Sequence, residues 1–179
     1  MYKRQGRYKF NKKLGLSGRL AGQTLSRDVI NPYTGEVEAV AGQKVTREEA
    51  EALQAHGINE AYVVVEEGEL KIFGNNFVNL SPFCGFDVKE AGINENAHFP
   101  TFMELYNSRE SWTPEELKAA LIEHKDTILP KHIHPDDIMA TMNYVICLSH
   151  GVGSVDDICL LYTSHHIAAM LQAALAPQS

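Results

Sequence analysis

The sequence predicts an α+β fold: a small module of mixed strands and helix, followed by a helical segment. Three observations predict it. Residues 36–40 and 61–73 carry strand-type patterning around turn residues, and Ala61 to Val65 (AYVVV) is the clearest run. Thr46 and Thr113 each stand three residues before a glutamate, Glu49 and Glu116, which is the spacing of a helix capping box. Beyond Pro135, Ile138, Met142, Val145 and Ile146 recur at helical spacing, with Leu148 behind them.

The elements follow in chain order. Residues 6–27 form a basic stretch interrupted by Gly15, Gly18 and Gly22. Asn31-Pro32 and Thr34-Gly35 are turn signals, and Glu36 to Val40 alternates polar with apolar as a short strand does. Thr46 opens a helix over roughly residues 47–56, with a narrow apolar face of Ala50 and Leu53 flanked by Ala52. Gly57 stands where a left-handed glycine ends a helix. Ala61–Val65 is a strand, Glu66-Glu67-Gly68-Glu69 the turn and Leu70–Phe73 the return strand; Phe77 to Leu80 continues the β pattern. Residues 81–110 contain Pro82, Gly85, Gly92 and Pro100 and read as irregular. Their packing anchors are Phe83, Phe86, Phe99, Phe102, Leu105 and Tyr106. Pro114 follows the cap at Thr113, and Leu117, Leu121 and Ile122 form a stripe that ends at Pro130. The last helix starts near Pro135 and stops at Gly151, with Asp136 and Asp137 in the first turn, where acids complement the helix dipole.

Composition narrows the function. At 179 residues, 44% hydrophobic and 22% charged, the chain can bury a core. No apolar run approaches the roughly 18 residues of a membrane span, and no apolar core follows the basic N-terminus as in a secretory signal. Cys84, Cys147 and Cys159 stand far apart without a CxxC, which argues against a disulfide scaffold or a cysteine zinc site and suits a reducing cytoplasm. The net charge of −7 hides an asymmetry: residues 1–27 hold 8 of the 16 basic side chains, and no acid precedes Asp28. A basic head on an acidic body points to nucleic acid or an acidic partner at one end, or to a solvated terminus.

The chemistry-bearing residues are sparse. His132 and His134 flank Ile133 and would share a face on a strand, but Pro130 and Pro135 place them in a loop, and HExxH is absent. They read as exposed loop histidines, and no metal site is assigned. There is no GxSxG, and Cys147 lies within an apolar helix, where a cysteine is core. GLSGRLAG lacks the GK[ST] that grips phosphate, and Asp156-Asp157 alone does not define a metal pair. No catalytic residue is assigned.

The two ends share a relation at the DNA level. Met1-Tyr2-Lys3-Arg4-Gln5 can be read from GTG TAT AAG AGA CAG, with GTG as start codon. The reverse complement, shifted by one base and extended, reads Cys-Leu-Leu-Tyr-Thr-Ser, which is residues 159–164. The string resembles the transposon end of sequencing-library adapters. Residues 1–5 and 159–179 are therefore expected to be non-native, leaving residues 6–158.

Within that span, Gly6-Arg7-Tyr8-Lys9-Phe10-Asn11-Lys12-Lys13-Leu14 resembles the GRYKxNKKL segment of the bacterial RNA polymerase β subunit family. Pro135-Asp136-Asp137-Ile138, Asn143-Tyr144, Leu148, Gly151 and Val155-Asp156-Asp157-Ile158 resemble the family's next landmark, which runs through a glycine into DDIDHLGNRR. The two blocks cover roughly 35 of the 179 residues, in the right order. Between them, Asn31 to Thr46 is similar to the DPxTGE…GQ…T segment of a β-rich insert in low-GC Gram-positive relatives. Cys159 stands where the family has a third Asp, and the following Arg pair is absent, so those positions carry no family role here.

The resemblance implies a truncated fragment of a larger multidomain subunit. Residues 6–18 would be a basic lobe segment, 19–110 a β-rich α+β insert, and 111–158 a helical return toward the protrusion. It implies a part in DNA-templated RNA synthesis, as a cleft and scaffold element with no catalytic residues of its own. Arg7, Lys9, Lys12 and Lys13 would contact DNA phosphates, or pair within the subunit. Gly6, Asn11, Asp137, Ile138, Asp156 and Asp157 are the matched motif positions. The implied partners are DNA and the β′, α, ω and sigma subunits; the implied magnesium belongs to the parent enzyme, held by β′, and none to this fragment. Truncation would leave apolar surface exposed. Two other readings stand beside this one: a free-standing interaction module, and, least favoured, a metal-dependent hydrolase on His132, His134 and Asp136.

Overall fold

The computed structural model describes residues 14–153. Among these are seven α-helices and six short strands, an α+β arrangement of three two-stranded antiparallel sheets. Among the described residues, α1 (Ser17–Leu20) is a single turn that buries Arg19 and Leu20. The chain beyond it runs between two neighbours: Leu25 N donates to Gln43 O on one side, and Ser26 N to Tyr62 O on the other. β1 (Val29–Ile30) pairs with β2 (Val37–Ala39). Their turn is organised by Asn31, whose Oδ1 accepts from Tyr33 N and Thr34 N.

α2 (Arg47–Ala55) has the capping box expected at Thr46 and Glu49, and Gly57 after it takes φ +83°. β3 (Glu60–Val65) and β4 (Gly68–Phe73) form a hairpin in full register from Glu60↔Phe73 to Val65↔Gly68. The turn is therefore only Glu66-Glu67, and the return strand starts two residues earlier than Leu70.

Residues 81–110 are not irregular, which corrects the sequence expectation. β5 (Phe77–Val78) pairs with β6 (Ala97–His98). Between them lie α3 (Ser81–Cys84) and a 3₁₀ turn, Val88–Ala91; α4 (Phe99–Tyr106) follows at once. The physical reason lies in the punctuation. Pro82 and Pro100 occupy first turns of helices, where the missing N–H is not needed. Gly85 and Gly92 end short helices at φ +71° and +74°. Such residues mark many short elements as readily as one loop.

α5 (Pro114–Glu123) carries the second capping box, at Thr113 and Glu116. The predicted helix breaks at His124, and α6 (Lys125–Ile128) completes it. α7 (Pro135–Ser149) is the longest helix described, and Gly151 beyond it takes φ +73°.

Among the described residues, two apolar cores form. One gathers Leu16, Leu20, Leu25, Val45, Leu53, Val63 and Ile72 with Cys147 and Val152 from the end of the described chain. The other gathers Val78, Leu80, Ile93, Phe99, Phe102, Leu117, Leu121 and Ile128. α7 supplies a second correction. Its buried positions are Asp137, Ala140, Asn143 and Cys147, whereas Ile138, Met142 and Ile146 of the expected apolar stripe are about half exposed, as is Met139. The helix turns its polar residues inward because each finds a partner there.

Candidate functional site

The inward polar groups of α7 meet residues 71–76 and Arg19. Asn143 Nδ2 donates to Lys71 O at 2.9 Å, and its Oδ1 accepts from Phe73 N at 3.0 Å. This carboxamide thus occupies the free edge of β4 as a neighbouring strand's peptide group would. The same Oδ1 accepts from Arg19 Nη1 at 2.7 Å, while Arg19 Nη2 donates to Leu14 O and Phe73 O. Arg19 is 1% exposed. Burial lowers its pKa, and the neighbouring Cys147 opposes that shift; a guanidinium still keeps its proton. Burial in turn raises the Cys147 thiol against the pull of Arg19, so this cysteine is core, as its position in the helix predicts, and not a poised nucleophile.

Nearly two turns toward the start of α7, Asp137 closes a capping box with His134 and accepts from Asn75 Nδ2 at 2.8 Å. Asn76 takes φ +60°, the sole described non-glycine residue with positive φ. That backbone turn places its Nδ2 2.7 Å from Asp136 Oδ2, while its N–H donates to Asn59 Oδ1.

His98, at the end of β6, reaches the same carboxylate: Nε2 lies 3.1 Å from Asp136 Oδ2, and Nδ1 2.8 Å from Thr101 Oγ1. The His98 and His134 rings sit 4.2 Å apart between centroids. Burial holds His98 below the usual imidazole value, against the hydrogen bond to the Asp136 carboxylate; His134 adds to the lowering. For Asp136, burial pushes upward, but hydrogen bonds from Asn76 and His98 outweigh it and the carboxyl stays below its usual range. Among the described residues, His98, His134 and Asp136 are the one grouping of three or more metal-ligating side chains. A separate open hollow of about 630 Å³, lined by Asn79, Ser81, Asp87, Lys89 and Glu95 among others, brings no histidine or cysteine together.

The sequence-predicted positions divide accordingly. Arg7, Lys9, Lys12, Lys13, Gly6, Asn11, Asp156 and Asp157 lie outside the described residues. Asp137 is buried and caps α7, and Ile138 beside it faces outward. His132 is exposed and not one of the three grouped residues, whereas His134 lies against His98. Sequence reasoning missed His98, Asn75 and Asn76, named Asn143 only as part of a family landmark, and took Arg19 only as part of the basic head. The shared helical face of Leu16, Arg19 and Leu20 was the one available hint that Arg19 points inward.

These buried contacts satisfy one another and brace the described fold. No family model matches the chain. Proteins named DNA-directed RNA polymerase subunit beta do match it. That of Clostridium acetobutylicum is 40% identical over 156 residues, that of Clostridium beijerinckii 42% over 157, and that of Clostridium tetani 40% over 156. Each alignment takes in 87% of this chain. The chain is homologous to the RNA polymerase β subunit. It spans about 12% of the length of the curated β subunits it matches. A match of 156 of the 179 residues takes in Asn75, Asp137 and Asn143 wherever along the chain it begins, so the Asn75–Asp137 contact falls within the stretch aligned with β subunits. No described helix is long and apolar enough to cross a membrane.

Proposed function

We propose that the chain acts as part of the β subunit of a bacterial DNA-directed RNA polymerase, in DNA-templated RNA synthesis in the cytoplasm. Its role is that of a scaffold element beside the DNA cleft, without catalytic residues of its own. The observation that carries this is 40–42% identity to polymerase β subunits over 87% of the chain. The geometry supports a scaffold, because Arg19, Asn143, Asn75 and Asp137 are used on one another. Residues 6–158 are the β-subunit part in this reading, with the lobe segment at 6–18, the insert at 19–110 and the helical return at 111–158.

The partners are DNA and the β′, α, ω and sigma subunits. The half-exposed Ile138, Met139, Met142 and Ile146 form the face on which the rest of the β polypeptide packs. Magnesium serves the parent enzyme through β′. The His98–His134–Asp136 set is two-thirds imidazole and does not suit it, since magnesium prefers oxygen ligands.

The test uses a polymerase assembled with the β subunit that carries this segment. Replacing Arg7, Lys9, Lys12 and Lys13 with alanine should weaken non-specific DNA binding. It should also flatten the plot of log affinity against log salt by about 0.9 for each phosphate no longer neutralised. An unchanged salt slope removes the phosphate role. Failure of that β subunit to assemble with its polymerase partners removes the subunit reading.

A further inference from the structure

We propose that His98, His134 and Asp136 form a binding site for a divalent transition-metal ion. One donor atom from each lies within 4.8 Å of the other two. His98 Nε2 is 3.1 Å from Asp136 Oδ2, and His134 Nδ1 is 3.8 Å from it. Ligands of a tetrahedral zinc, at about 2.0–2.1 Å from the metal, stand about 3.3 Å apart. Ligation takes the His134 Nδ1 lone pair away from the Asp136 N–H that it accepts at 3.3 Å, and small side-chain rotations then bring the three donors onto one ion.

The surroundings already do what a metal site asks of its supports. His98 is 6% exposed, and Thr101 Oγ1 holds its Nδ1, which aims Nε2 into the cluster. Asn76 holds the Asp136 carboxylate from a left-handed backbone that a non-glycine residue adopts at a cost. The His134 and Asp136 side chains are 28% and 31% exposed, so the ion has an entry path and a water can take the fourth position. Two imidazoles and one carboxylate favour zinc and its transition-metal neighbours over calcium or magnesium. Binding would join the end of β6 to the first turn of α7, a junction otherwise held by single hydrogen bonds. The site stands on these contacts alone and not on the polymerase reading.

The test is calorimetric titration of zinc chloride into the full 179-residue chain after chelator treatment, with cobalt(II) as a spectroscopic probe. The expected result is one equivalent bound and visible bands of a tetrahedral cobalt site. His134→Gln and Asp136→Asn should abolish both. Thr101→Ala should weaken binding about 10–100-fold, and His132→Gln should leave it unchanged. His98→Gln should abolish binding with its circular dichroism retained; if it unfolds, His134→Gln, at a more exposed position, decides the same question. Absence of one-equivalent binding overturns the proposal. So does binding that survives His134→Gln but disappears when His165 and His166, adjacent histidines outside the described residues, are replaced by glutamine.

Discussion

At the scale of the residue, Asn143 carries the most structure. Its carboxamide pairs with both Lys71 O and Phe73 N and also receives Arg19, so one side chain closes a sheet edge and neutralises part of a buried cation's need for acceptors. Asn143→Ala should destabilise the fold by about 3 kcal/mol, because it leaves buried donors and acceptors without partners. Urea unfolding followed by circular dichroism measures this. Glu38 gives a pH dependence. Its carboxylate accepts from Asn31 Nδ2 and His56 Nδ1, and those hydrogen bonds, Asn31 first, hold its pKa below the ordinary 4.5. A depressed carboxylate stabilises the fold above its ordinary pKa, and that stabilisation is lost as pH falls through the lower folded value. Glu38→Gln should therefore cost about 1 kcal/mol at pH 7 and nothing at pH 2, a difference read from denaturation midpoints at the two pH values.

At the scale of the element, local rules were readable wherever the chain satisfies its own ends. Both threonine capping boxes stand as the Thr-x-x-Glu spacing says, since each needs only residues within one turn. Gly57 does more than end α2. A Cβ there would lie 2.0 Å from Phe99 Cε1, so the end of a helix in the first core packs directly on the second. Gly57→Ala should cost about 2–4 kcal/mol, combining a strained positive φ with overpacking against the ring. An unfolding midpoint unchanged from the parent would show that Phe99 can move aside. The short elements between Ser81 and Tyr106 were not readable, because strands of two residues and helices of four leave no period to detect.

At the scale of the whole molecule, α7 departs furthest from its sequence pattern. Ile138, Met142 and Ile146 have helical spacing, yet the helix buries Asp137 and Asn143 and leaves that stripe about half exposed. The chain should consequently bind an apolar dye such as anilinonaphthalene sulfonate in its folded state. Replacing Met142 and Ile146 with glutamine should reduce the fluorescence while changing stability by no more than about 0.5 kcal/mol. An intact β subunit should show no dye binding at this face. Strong protection of the face in the isolated chain would count against the idea that the rest of β covers it.

The sequence by itself determined the α+β class, the hairpin of residues 60–73, the two capped helices and the likeness to polymerase β subunits, which the homologous proteins bear out over 87% of the chain. These depend on neighbours in sequence or on strings long enough to match. Only the tertiary structure decided which face of α7 turns inward, that Arg19 is buried, and that His98 meets His134 and Asp136 from a different part of the chain. A polar side chain can be buried only if its partner waits at the right point in space, and nothing in the spacing of residues along a chain tells which distant group that will be.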